Sequence, residues 1–148
     1  MEEEHPVTNK YFRNNIYFRR RMKMELSLFF KSIIEQDRCA VVICNLEHKI
    51  IYMNPAAVTA YAKRGGAALV GRSLLDCHNP ESCEKIRRVV GWFAQSKENN
   101  VIYTFHNEKQ NKDVYMVALR KEDGELIGYY EKHEYRNRET EKFYNFEK

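Results

Sequence analysis

Proline and glycine are scarce in this chain, at three and six of 148 residues, and it holds no repeat and no low-complexity tract. That excludes a disordered, linker-like polymer. With 43% hydrophobic residues, the expectation is one globular domain with short tails. No apolar run approaches the roughly 20 residues needed to span a bilayer. The opening MEEEHP lacks the basic start and apolar stretch of a secretory signal. The expected location is the cytoplasm, with no membrane partner, and there the four cysteines stay reduced. A glycine-rich phosphate loop, an activated-serine motif and a pair of acids at a set separation are all missing. No catalytic residue is assigned, and the chain reads as something other than an enzyme.

Charge of one sign is also thin outside one segment. Of the net charge of +4, residues 1–24 carry +3, from six basic side chains against Glu2, Glu3 and Glu4. Residues 1–21 read as a basic arm of weak order, interleaved with Tyr11, Phe12, Tyr17 and Phe18. Such an arm stacks on bases and neutralises phosphates, or packs its aromatics on a partner subunit. The second reading is preferred, because specific nucleic-acid binders usually carry charge on the folded domain as well.

From Met22 the pattern becomes regular. Met22, Leu26, Phe29 and Ile33 recur at helical spacing, with Phe30 widening the stripe, which predicts an amphipathic helix over residues 22–37. Two roles fit this face: a dimer contact of coiled-coil type, or packing on the domain's own sheet. CAVVICN and IIYMN then predict a hairpin, with strands at 39–45 and 49–53 around a turn at 46–48. Asn54-Pro55 marks a capped helix start, Gly65-Gly66 and Gly71 end helical turns, and LLDCH forms another turn. Asn79-Pro80 repeats the capping logic, and Cys83, Ile86, Val90 and Phe93 follow along one face of a longer helix. VIYTFH, DVYMVALR and ELIGYYEKH alternate as strands, the last two joined through Asp123-Gly124. Two strands, a helical middle and three strands predict an α+β fold: one antiparallel sheet with helices on one face.

This order resembles the PAS sensor domain family over residues 39–134, within a domain read as 38–134 and followed by a charged tail at 135–148. IIYMNPAAV matches the second strand and first helix of that family, and VALRKEDGELIGYYE its closing hairpin. LVGRSLLDCHNPES resembles the Gly-Arg-Ser-x-x-Asp-Cys-His-x-Pro motif of one bacterial branch. The resemblance implies a five-stranded antiparallel sheet, short helices and one long helix on one face. It also implies a small-molecule or cofactor pocket beneath the helices. Where many relatives continue through an Asp-Ile-Thr junction into an effector, this chain has KHEYRNRETEKFYNFEK. Output is therefore expected through association.

The resulting expectation is a stand-alone cytoplasmic sensor or signal-transduction module, homodimeric through its N-terminal helix and acting on a downstream signalling protein. The alternative is a dimeric protein- or nucleic-acid-binding module that uses the basic arm and has no pocket ligand. The expected pocket residues are Tyr61, Leu74, His78, Ile86, Val90 and Phe93 on the helical side. The strands add Tyr103, Phe105, Met116 and Ala118, with Ile43 and Met53 as further candidates. Side chains alone could fill the same space. Cys77-His78 raises metal, haem and thiol chemistry, but no third ligand stands at metal spacing. Closure of a helix end by Asp76 and His78 explains the pair more simply. No metal is assigned. Haem or another small molecule is left open as the cofactor.

Overall fold

The computed structural model describes residues 8–147 and divides the chain into two units, Met1–Gln36 and Asp37–Lys148. Residues 1–7, the first part of the expected arm, lie outside the described residues.

The first unit holds one helix, α1 (Thr8–Gln36), of 29 residues, about 43 Å in length. It begins fourteen positions before Met22, which corrects the expected boundary between arm and helix. The physical reason is that no proline or glycine interrupts residues 8–36, with Lys and Arg spread over residues 10–31 and Met, Leu and Glu following from Met22. Arg21–Glu25 and Lys31–Glu35 add ion pairs one turn apart. Met22, Leu26, Phe29, Phe30 and Ile33 are each more than half exposed in the single chain. Among the described residues no helix is long and apolar enough to cross a membrane.

The second unit is a five-stranded antiparallel sheet under a layer of short helices, as the sequence implies. Its strands are β1 (Val42–Asn45), β2 (Ile50–Met53), β3 (Val101–Asn107), β4 (Lys112–Arg120) and β5 (Leu126–Tyr135), in the order β2-β1-β5-β4-β3. The pairing of β1 with β5, from Val42 opposite Glu131 to Asn45 opposite Gly128, joins the first hairpin to the last three strands. Strand β1 starts three residues later than expected. Its approach, residues 39–41, is bonded to the Asn54 side chain instead of to a neighbouring strand. The β1–β2 turn is closed by Asn45 Oδ1, which accepts from the amides of Glu47 and Lys49, and His48 takes a left-handed φ of 61°.

Between β2 and β3 lie α2 (Pro55–Ala60), three 3₁₀ turns and α3 (Pro80–Gln95). Asn54 caps α2 through the Ala57 amide, and Asn79 caps α3 through the Ser82 amide at 2.8 Å, each with proline at the first helical position. Helix α3 has no glycine stop. Arg120 closes its C-terminal end, its guanidinium donating to the carbonyls of Phe93 at 2.7 Å, the capping residue Ser96 at 3.0 Å and, past the helix, Asn99 at 3.0 Å. The core runs between the layers: Val42, Cys44, Ile50, Met53 and Tyr129 from the sheet meet Ala57, Leu69, Ile86 and Phe93. The tail continues past β5, with Arg38 pairing with Glu139 at 3.4 Å and Phe143, Tyr144 and Phe146 almost fully exposed.

Candidate functional site

A cavity of about 360 Å³ lies between the inner face of the sheet and the helical turns. Its apolar wall is built from Val42, Ile50, Met53, Val114 and Met116 on the strands and Leu69, Leu74 and Ile86 above them. A polar end is built from Lys112 on β4 and Glu131 and His133 on β5, with Asn107 and Gln110 from the β3–β4 connection. Alternation along β5 puts Tyr129, Glu131 and His133 on one face. The β4–β5 register sets Val114 opposite His133 and Met116 opposite Glu131, with Lys112 diagonal to His133.

Of the residues expected in a pocket, Tyr61, Leu74, His78, Ile86, Phe105 and Met116 line this cavity, as does Met53. Val90, Phe93, Tyr103 and Ala118 do not. Phe93 is fully buried in the core below, and Val90 and Ala118 pack against that core. Tyr103 lies on the outer face, stacked on Tyr115 at 5.4 Å between ring centroids. A β-bulge between Tyr103 and Phe105 reverses the alternation, so Tyr103 faces Tyr115 while Phe105 faces Val114 on the cavity side. Thr104, the extra residue, bonds its hydroxyl to the Val114 carbonyl at 2.9 Å. Ile43 is off the lining because Val42 and Cys44, its neighbours, point inward.

His78 ends the 3₁₀ turn Leu74–Cys77, and its Nδ1 donates to the Leu74 carbonyl at 2.9 Å. The Cys83 thiol, buried on the α3 stripe, donates to the Leu75 carbonyl at 3.2 Å. Cys77, His78 and Cys83 thus do not converge on an ion, and among the described residues no three His, Cys, Asp or Glu side chains do.

At the β1 end, the Tyr129 hydroxyl and His48 Nδ1 share a hydrogen bond at 2.9 Å, and the Cys44 thiol bonds to that hydroxyl. Burial pushes Cys44 up to about 11 and Tyr61 up to about 12, and raises Tyr129 as well. These groups stay neutral at physiological pH, so the cavity holds no thiolate or phenolate nucleophile at those positions.

Burial, and then the charge of Arg87, lowers the pKa of His48. A folded-state value below the unfolded one means that the unfolded chain takes the proton first as pH falls. The stability from the His48–Tyr129 contact is full above about pH 6.5, the ordinary imidazole value, and is lost as pH falls through the folded value. We expect the melting-temperature difference between wild type and His48→Asn to be largest near neutrality and to narrow on acidification. Thermal melts of both proteins across that range check the sign.

The polar end was the part that sequence reading missed. Its signal was present in YYEKHEY, where the buried face of β5 carries Glu131 and His133 in phase with Tyr129.

A family model described as the PAS fold matches residues 34–132. No curated protein matches the chain. Among solved structures, a PAS domain from Colwellia psychrerythraea is 14% identical, with a TM-score of 0.55 over 74% of this chain and 95% of its own. A C-terminal domain from Streptococcus mutans is 21% identical, with a TM-score of 0.53 over 68% of this chain and 78% of its own. The PAS domain of Bordetella pertussis BvgS is 13% identical, with a TM-score of 0.52 over 74% and 85%. At these identities the likeness concerns the fold.

Proposed function

Because the chain belongs to the PAS fold family, we propose that it is a signalling module of the cytoplasm that senses a small molecule in the cavity and reports it through contacts of α1. The observation that carries this reading is the cavity itself, of about 360 Å³, walled by apolar side chains with a polar group of three at one end. That size and mixture suit a small organic ligand. A ligand that binds one packing of the helical layer better than another shifts their populations, with no chemistry required. Asn54 supplies a physical link. It caps α2 above the sheet and also holds the Cys39 carbonyl at 2.9 Å, where the chain has just left α1.

The partner of α1 in this reading is a second copy of the chain. Met22, Leu26, Phe29, Phe30 and Ile33 form a stripe too apolar to remain in water, and the homodimer buries it. A downstream signalling protein then reads the dimer.

Native mass spectrometry of freshly purified full chain tests both parts. The expected result is a dimer that carries added small-molecule mass, with Phe29→Glu/Ile33→Glu giving a folded monomer. A Soret band in the same preparation would identify that ligand as haem and His78 as the residue to test. A ligand-free monomer would overturn the reading.

A further inference from the structure

Lys112 is buried to 9% exposure, yet its ammonium has no carboxylate within ion-pair distance among the described residues. Its hydrogen-bond partner is a ring nitrogen, His133 Nδ1, at 3.1 Å. An ammonium only donates, so Nδ1 accepts and the proton of His133 sits on Nε2. That Nε2–H donates to Glu131 Oε1 at 2.6 Å. The imidazole is therefore neutral, and the charge of Glu131 reaches Lys112 only across the width of a ring.

Among the described residues Glu131 is the one carboxylate that lines the cavity. The Tyr135 ring stands 5.7 Å from Nζ, a distance at which its face contributes a weak attraction. The remaining charged side chain on the cavity wall, Arg64 from the turn Ala62–Arg64, is exposed, and water meets its charge. Inside the cavity the Lys112 ammonium is balanced only by Glu131, across the imidazole ring. An ammonium held that far from its carboxylate gains from an anion bound directly to it.

We infer that the ligand of this cavity is a monocarboxylate with an apolar body, its carboxylate held by Lys112 and its body lying along Val42, Ile50, Leu69 and Val114. The inference rests on the sensor reading above and adds the ligand's chemical class. Lys112 has N–H donors beyond the one it gives to His133. The apolar wall accepts a chain or ring but no second charge. His133 and Glu131 act as positioning residues: the neutral imidazole fixes the ammonium at the cavity end and Glu131 fixes the tautomer.

Calorimetric titration of the full chain with hexanoate, octanoate, decanoate and phenylpropionate, each against its primary amide, tests this. The acids are expected to bind roughly thirty-fold more tightly than the amides, the scale of one charge-assisted hydrogen bond. Lys112→Met should erase that preference, bringing the acids down to the level of the amides or below. Glu131→Gln should tighten the acids and leave the amides unchanged, a result that stands even if Lys112→Met folds poorly. Equal affinity for acids and amides, or an acid preference that survives Lys112→Met, overturns the inference and leaves the sensor reading intact. Binding of neither series overturns the inference as well, and the added mass in the native spectrum then decides the small-molecule reading.

Discussion

Gly128→Ala is expected to lower stability by about 3 kcal/mol, a fall of roughly 10 °C in melting temperature for a domain of this size. A Cβ at this position would lie 2.3 Å from the Cys44 carbonyl oxygen, a backbone atom that cannot rotate away. The clash falls on the β1–β5 pairing, where Gly128 faces Asn45. Glycine inside a strand often marks such a close backbone approach. Relief requires β1 to move off β5, and with it go Val42 and Cys44, which wall one side of the cavity. Gly91→Ala supplies the comparison. Gly91 is exposed within α3, nothing lies within 4 Å of its would-be Cβ, and alanine there should stabilise by about 0.5–1 kcal/mol. Chemical denaturation of the two variants beside wild type checks both signs. A Gly128→Ala protein within about 1 kcal/mol of wild type would mean that the sheet accommodates the methyl group.

The elements were legible where local chemistry specifies them. Asn54-Pro55 and Asn79-Pro80 each start a helix at the predicted residue, because an Asx cap and a proline at the first position act within four residues of each other. Asp123-Gly124 turns β4 into β5 as read, with Gly124 at a φ of 88°. The strand order is another matter. No local pattern says that β1 inserts beside β5, since that pairing spans more than eighty residues. The family resemblance supplied a single five-stranded sheet, and the structure its order.

The site was legible in part, and the failures have specific causes. Tyr103 and Phe105 looked alike by period-two alternation. One inserted residue at Thr104 separates them onto opposite faces, and a bulge leaves no reliable mark in the residues around it. Lys112, Glu131 and His133 escaped notice because charged side chains on strands are read as solvent-facing by default. Their inward orientation depends on the β4–β5 register, which is a tertiary fact. Strand β1 was drawn three residues too long for a comparable reason: CAVVIC has strand composition throughout, but a side chain thirteen positions away takes its Val41 amide.

That side chain is Asn54, and Asn54→Ala is expected to cost about 3 kcal/mol, more than the roughly 1 kcal/mol typical of losing a helix cap. The difference follows from what one fully buried amide holds together. Its Oδ1 accepts from the Ala57 amide at 2.9 Å and from the Val41 amide at 2.9 Å. Its Nδ2 donates to the Cys39 carbonyl at 2.9 Å and reaches that of Asp37 at 3.4 Å. Alanine keeps none of these and leaves buried backbone groups from two separate segments without their partner. Asn54→Ser separates the contributions. A serine oxygen reaches the Ala57 amide as an ordinary cap but cannot donate to Cys39 while accepting from Val41, so it should recover about 1 kcal/mol and no more. Hydrogen exchange locates the damage: the Val41 amide should lose protection in both variants, and the Ala57 amide in the alanine variant alone. Full recovery by serine would reduce Asn54 to a helix cap and remove the physical link drawn between the approach to β1 and the helices over the cavity.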